Sequence, residues 1–322
     1  MPAPTTTLRP EQLRGALAFP ITPYAEDGSV DLDAVRENAA FLATSRIAAI
    51  VAPSGTGEIF ALTPEEATAI VKATVDVAGD KPVIAAAGIG PTLGARMAKE
   101  AEEAGAAAIM VVPPYYGKPD SEGLIAYYET IAAATSLPII PYARDAALFS
   151  PAQVVKLVER VPQVIAFKDG RADVRLFQQI REYVSAKLGA DRLVWLGGSG
   201  DDLVGPYFAA GAEGYTSSLA CFWPEASAEL YDFVAAGDYA GLAEYHARVV
   251  APIYAMRQRK PGYEVSVMKA AVQLLGYTAG PSRAPLANLT ADEVAELDAM
   301  LKALKVPTRA DRAKVPAGVG ND

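Results

Sequence analysis

Short apolar runs alternate with amphipathic stretches along most of this chain, and that alternation does more than anything else to restrict its fold. The runs lie near residues 16–22, 48–53, 82–87, 107–113, 138–142, 164–168, 193–196 and 214–217. Each is too short for a core helix and apolar at successive positions, as expected of strands covered on both faces in a parallel sheet. Between them, residues 64–77, 93–104, 122–134, 151–160 and 174–188 repeat apolar side chains at helical spacing. Thr63-Pro64-Glu65-Glu66 and Ser150-Pro151 put a capping hydroxyl before a proline at the first helical position. Eight strand-helix units are the number that closes into an α/β (β/α)8 TIM barrel; an open doubly wound sheet is the rival that periodicity leaves standing.

Beyond about residue 225 the strand pattern stops, and residues 225–235, 242–257, 265–275 and 291–304 read as helices. The expected organisation is a barrel over 13–235, a C-terminal helical appendage of the same domain over 236–306, and flexible tails at 1–12 and 307–322. The 322-residue length suits one barrel, which needs roughly 250 residues, plus that appendage.

The formal net charge of −9 opposes nucleic acid and anionic membranes, and no Lys/Arg cluster reverses it locally. No run approaches the roughly 18 apolar residues of a membrane span, and no signal-peptide pattern opens the chain, so a cytoplasmic location is expected. With one cysteine, Cys221, and one histidine, His246, a disulfide framework and a Cys- or His-based metal site are excluded. Acid-base chemistry falls to Tyr, Lys, carboxylates or hydroxyls.

In a barrel the site lies where strands end. Those ends carry Ser54-Gly55-Thr56-Gly57-Glu58, Tyr115-Tyr116, Tyr142-Ala143-Arg144-Asp145, Lys168-Asp169-Gly170, Ser199-Gly200-Asp201-Asp202 and Thr216-Ser217-Ser218. Lys168 closes a fully apolar run. Burial lowers an ammonium's pKa and leaves a nucleophilic amine; the other reading is a lysine that ends a strand and reaches solvent. Tyr142 is either a proton carrier beside that amine or a buried ring with a solvated hydroxyl. Arg144 offers a bidentate grip on a carboxylate or a simple pair with Asp145. Ser54, Thr56, Ser199, Ser217 and Ser218 offer hydroxyl donors or serve as caps and turns.

Several features lack their apparent chemistry. Gly88-Ile89-Gly90-Pro91-Thr92-Leu93-Gly94 has its last glycine one residue too late for a dinucleotide fingerprint, and Pro91 removes an N–H, so a strand-to-helix turn is expected. Asp201-Asp202 reads as a helix N-terminal pair. Cys221 and His246 read as structural, and Tyr127-Tyr128 as packing or subunit contact.

FPITPYAEDGSVD, PSGTGEIFALTPEE, VVPPYYGKP, PYARD, FKDG and SGDD occur in the order and spacing of the dihydrodipicolinate synthase/N-acetylneuraminate lyase family. The resemblance covers about residues 13–304. It implies a Schiff-base lysine at Lys168, a proton-shuttling tyrosine at Tyr142, and a carboxylate-binding, proton-relaying loop at Gly55-Thr56-Gly57-Glu58. It also implies a tyrosine reaching into a neighbouring subunit at Tyr116, with Tyr115 its competitor. A homotetramer built as a dimer of dimers follows from it, as does the absence of any cofactor beyond the lysine imine.

Within the family, Gly55 replaces the first of two hydroxyl residues, and Tyr142-Ala143-Arg144-Asp145 brings arginine closer to tyrosine than in dihydrodipicolinate synthase. KPGYEVSVMKA at 260–270, GYTAGPSRAPLANLT at 276–290, FKDG and PYARDAALF resemble the 5-dehydro-4-deoxyglucarate dehydratase branch, although Ala146 stands where that branch has Asn. The expected activity is dehydration with decarboxylation of 5-dehydro-4-deoxy-D-glucarate, in sugar-acid breakdown, through candidates Lys168, Tyr142 and Thr56. Ser54, Gly55, Arg144, Tyr116, Ser199, Gly200, Ser217 and Ser218 are the expected binding residues. A pyruvate-dependent aldolase or synthase using the same lysine, a non-catalytic keto-acid-binding barrel and an NAD(P)-dependent oxidoreductase are the alternatives.

Overall fold

The computed structural model describes residues 8–314. The strands are β1 (Gly15–Ala18), β2 (Ala49–Val51), β3 (Val83–Ile89), β4 (Ala108–Pro114), β5 (Ile139–Ala143), β6 (Ala166–Asp169), β7 (Val194–Gly197) and β8 (Gly214–Ser217). Each pairs in parallel with the next, and β8 returns to β1 through Gly15↔Gly214 to Ala18↔Ser217, closing the barrel and ruling out the open sheet. Every residue of β1, β2, β5, β6, β7 and β8 is buried, which accounts for their uninterrupted apolar runs. β1 stops four residues short of the expected end because Pro20 has no N–H to continue the ladder.

Helices α1 (Leu32–Ala43), α2 (Pro64–Ala78), α3 (Pro91–Glu103), α4 (Ser121–Ala132), α5 (Pro151–Arg160), α6 (Val174–Leu188), α7 (Val204–Ala209) and α8 (Pro224–Ala236) follow the strands in turn. The two predicted start signals are reciprocal capping boxes, Thr63 with Glu66 and Ser150 with Gln153. The glycine-rich segment after β3 is the expected turn, with Gly90 as cap and Pro91 at the first helical position.

The appendage is α9 (Tyr239–Tyr245), a π turn (His246–Val250), α10 (Ala251–Arg257), α11 (Tyr263–Leu274), α12 (Ala291–Ala303) and α13 (Arg309–Arg312). The helix expected at 242–257 is therefore longer and contains a wide turn just before Pro252, whose ring and missing N–H disfavour regular α-helical bonding to the preceding turn. Of the two segments expected as tails, residues 8–12 and 307–314 make contacts. Leu8 is buried and donates to Ala107 O, and Arg312 donates to Phe222 O and pairs with Glu225. Residues 1–7 and 315–322 lie outside the described residues.

One buried ion pair ties barrel to appendage. Lys269 Nζ on α11 donates to Glu58 Oε1 at 2.8 Å, with side-chain exposures of 2% and 0%. The lysine also donates to Pro281 O, and Glu58 Oε2 accepts from the Arg283 N–H, so both charges are hydrogen-bonded on several sides. This fixes the loop after β2, where Glu58 takes a left-handed backbone conformation at φ 57°. Removing one partner strands the other charge in the interior, at a cost of about 3–5 kcal/mol. Lys269→Met is therefore expected to lower unfolding free energy by about that amount, read from urea denaturation. A loss below about 1 kcal/mol would mean that the pair does not hold the loop.

Candidate active site

Lys168 sits on β6 directly beside Tyr142 on β5, register partners in the sheet. Neighbours at the same level of a barrel present their side chains to the same face, here the interior. The Lys168 ammonium position lies 3.6 Å from the Tyr142 ring centroid and 4.4 Å from that of Phe19, and Nζ is 3.7 Å from Met110 Sδ. The lysine is 2% exposed, and among the described residues no carboxylate pairs with it. Asp169, the next residue, accepts from Tyr207 OH and the Arg171 N–H instead. Burial drives the Lys168 pKa well below the usual lysine value, and the Arg144 charge pushes it the same way.

Two glycines make room for this pair. A Cβ at Gly198 would stand 2.7 Å from Lys168 Cγ and Cε, and one at Gly170 would stand 2.4 Å from Tyr142 Cε2. Their smallness, more than their flexibility, is what the site needs. Tyr142 OH accepts from Arg144 Nη1 at 3.2 Å. Burial raises the phenol's pKa and the guanidinium partly opposes that, so the hydroxyl remains protonated at neutral pH.

Across the mouth, Thr56 Oγ1 lies 3.3 Å from Ser218 Oγ, which accepts a long bond of 3.4 Å from Arg257 Nη2. The cavity bounded by these groups measures about 340 Å³. It is lined by Lys168, Tyr142, Thr56, Ser54, Gly55, Arg144, Ser199, Gly200 and Ser218, nine of the predicted site residues. Gly55 faces open space where a side chain would meet nothing.

Two predicted residues are elsewhere. Ser217 is fully buried and does not line the cavity; its hydroxyl donates to Asp201 Oδ1 at 2.5 Å and meets Ser227 Oγ at 2.7 Å. That corrects its assignment as a substrate donor: it builds the turn after β8. Tyr116 is 91% exposed and outside the cavity of its own chain, with φ 67°.

Asp201 opens a short 3-10 turn before α7, as a helix-start aspartate should, yet it is wholly buried. Its Oδ2 accepts from the Ser218 and Leu219 N–H groups and from Tyr254 OH, so its charge is committed to holding the β8 loop. Cys221 is buried, donates to Phe19 O, and has its thiol pKa pushed up to about 12 by burial, which suits a structural role. Tyr127 donates to Val112 O, and Tyr127 and Tyr128 are both buried, so the pair is packing within the chain. Among the described residues no group of three or more His, Cys, Asp or Glu is placed to hold a metal, and no helix is long and apolar enough to cross a membrane.

Sequence reasoning missed Arg257, Glu264 and Val265, which line the mouth from α10 and α11. The rule that looks to strand ends has no means of nominating a side chain that overhangs from an appendage. The nearby Lys260-Pro261-Gly262-Tyr263 segment, noted for its resemblance alone, was the available pointer.

Residues 12–304 match the model of the Dihydrodipicolinate synthetase family. A probable 5-dehydro-4-deoxyglucarate dehydratase of Bradyrhizobium sp. (strain ORS 278) is 37% identical over 302 residues, 93% of this chain and 95% of the relative. A protein of the same description from Methylobacterium radiotolerans is 40% identical over 290 residues, 89% of this chain and 94% of the relative. Among solved structures, dihydrodipicolinate synthase from Oceanobacillus iheyensis superposes with a TM-score of 0.84 at 25% identity, covering 92% of this chain and 98% of the other. YagE, an E. coli K12 prophage protein of the dihydrodipicolinic acid synthase family in complex with pyruvate, gives 0.82 at 26% identity, covering 91% and 99%.

The neutral amine is the reactive form, and it persists above the depressed pKa of Lys168. Imine formation with pyruvate, quenched by borohydride and weighed, should therefore show an acid limb well below the ordinary lysine range. Arg144→Gln removes a neighbouring positive charge, so the acid limb of that profile should move to higher pH. A limb near the ordinary lysine range, or one that moves down in the variant, would contradict the proposed electrostatics.

Proposed function

This chain belongs to the Dihydrodipicolinate synthetase family, and from that premise we propose that it is a Schiff-base lyase that dehydrates and decarboxylates 5-dehydro-4-deoxy-D-glucarate. The observation that carries the reading is the buried amine of Lys168, its pKa lowered by burial, packed against the Tyr142 ring across the mouth from a hydroxyl pair. The names of the curated relatives support the substrate, and a cavity of about 340 Å³ suits a six-carbon acid.

Counting from the keto-acid end, Lys168 Nζ attacks C2, and loss of water forms a protonated imine that withdraws electrons. Hydroxide departs from C4 as water on a proton from the Tyr142 phenol, and the phenolate left behind takes the proton from C3, so the phenol is restored; Thr56 and Ser218 are its partners across the mouth. The product is a conjugated unsaturated iminium. The C5–C6 bond then breaks, CO2 leaves, and its electron pair runs through the conjugated chain to nitrogen. Protonation and hydrolysis release 2,5-dioxopentanoate and restore the amine. The lysine thus serves as electron sink for both bond cleavages.

Ser54, Gly55 and Thr56, which line the cavity at the end of β2, are assigned to the carboxylate beside the ketone. Tyr116, outside its own cavity, suits service to a neighbouring copy in the proposed tetramer. Sedimentation of the native protein tests that assembly; a monomer at assay concentration would exclude it.

Incubation with substrate and borohydride should add the mass of the reduced adduct, and Lys168→Ala should abolish the gain; a gain that survives the substitution refutes the imine. Tyr142→Phe should lower kcat by about 10²–10⁴-fold while circular dichroism stays unchanged. Release of CO2 from the sugar acid, without pyruvate, distinguishes this activity from an aldolase on the same lysine.

A further inference from the structure

Arg257 reaches the mouth from α10, outside the barrel, and most of its donor capacity is unspent. Nη2 makes one long contact, 3.4 Å to Ser218 Oγ, and the buried Nε and Nη1 have no hydrogen-bond partner. Its guanidinium carbon lies 4.3 Å from the centroid of the Tyr254 ring, which packs against the fork. Among the described residues no carboxylate lies within 4.0 Å of it. Asp201 and Asp202 act on it through their fields alone; Asp201 has both oxygens engaged by Ser217, Ser218, Leu219 and Tyr254, and Asp202 makes no ion pair or hydrogen bond with it. A buried guanidinium that has no carboxylate in direct contact and edges a cavity is arranged for an anion that is not part of the chain.

The second guanidinium at the mouth is differently committed. Arg144 donates to Tyr142 OH and pairs with Asp145 at 3.7 Å. The carboxylate next to the ketone is one bond from the imine carbon and must stay deep in the throat with Lys168. Arg257 instead overhangs from the helical layer, joined to the strand-end hydroxyls through Ser218 and then Thr56. We propose that Arg257, with Ser218, binds the carboxylate at the end of the substrate remote from the ketone and so selects keto-dicarboxylates over keto-monocarboxylates. This rests on the Schiff-base reading above and deepens it.

The test uses two six-carbon probes that differ only in the far carboxylate, 2-oxohexanedioate and 2-oxohexanoate. Each is trapped on the full chain by borohydride at graded concentrations and read by mass. Trapping requires neither dehydration nor decarboxylation, so an enzyme that fails to turn over the sugar acid still reports on Arg257. The native protein should prefer the dicarboxylate by roughly 10–100-fold. In Arg257→Gln that preference should fall below about threefold, with pyruvate trapping within about twofold of native. Arg257→Lys, which keeps the charge and loses the fork, should show an intermediate preference and serves if the glutamine variant does not fold. No preference in the native protein, a preference unchanged in either variant, or pyruvate trapping lost along with it in a folded variant would each overturn the assignment. Absence of any adduct on the native lysine would instead overturn the Schiff-base reading.

Discussion

An amine attacks a ketone only after it has lost its proton, and this fold makes that loss easier by keeping water away. Two tendencies compete at Lys168. The faces of Tyr142 and Phe19 attract a cation, an effect worth about 2 kcal/mol when desolvated. Taking an ammonium out of water costs several kcal/mol even after relaxation, and Arg144 adds repulsion. Among the described residues no carboxylate pairs with the amine to reverse the balance, and the net effect of burial is a lowered pKa. Much of the surrounding architecture serves that outcome. The closed sheet excludes solvent, Gly198 and Gly170 let neighbouring strands close on Lys168 and Tyr142, and Asp169 is turned away to Tyr207.

Charge at the mouth is sorted by role. Asp201 stands within the same neighbourhood as Arg257, yet its oxygens are committed to the backbone of the β8 loop. This leaves Arg257 without a carboxylate in direct contact, in a chain whose total charge is −9. At short range a few oriented groups outweigh many distant ones.

The barrel is legible in the sequence because strands buried on both faces must be apolar at successive positions, and Lys168 and Tyr142 stand out as polar groups terminating such runs. Thr56 and Ser218 are legible for the same positional reason. Ser217 is not separable from Ser218 by sequence, since adjacent residues at a strand end face opposite sides and the turn that follows decides which faces the cavity. The steric duty of Gly198 arises between strands, through a contact with Lys168 that no local pattern encodes. Arg257 is beyond a strand-end reading altogether, because its position depends on how an appendage packs over the barrel. Whether Tyr116 serves a site depends on a second copy, which one sequence does not display.

The bond between Glu58 and Lys269 spans 211 positions of chain. During synthesis, the hydroxyl-bearing loop leaves the ribosome long before the lysine that completes it. At about 5–20 residues per second the interval is roughly 10–40 seconds. By the end of that interval all eight strands have been made, the last ending at Ser217, while the glutamate still lacks its counter-ion. The nascent protein therefore acquires a barrel before it acquires a finished mouth, which waits for Lys269.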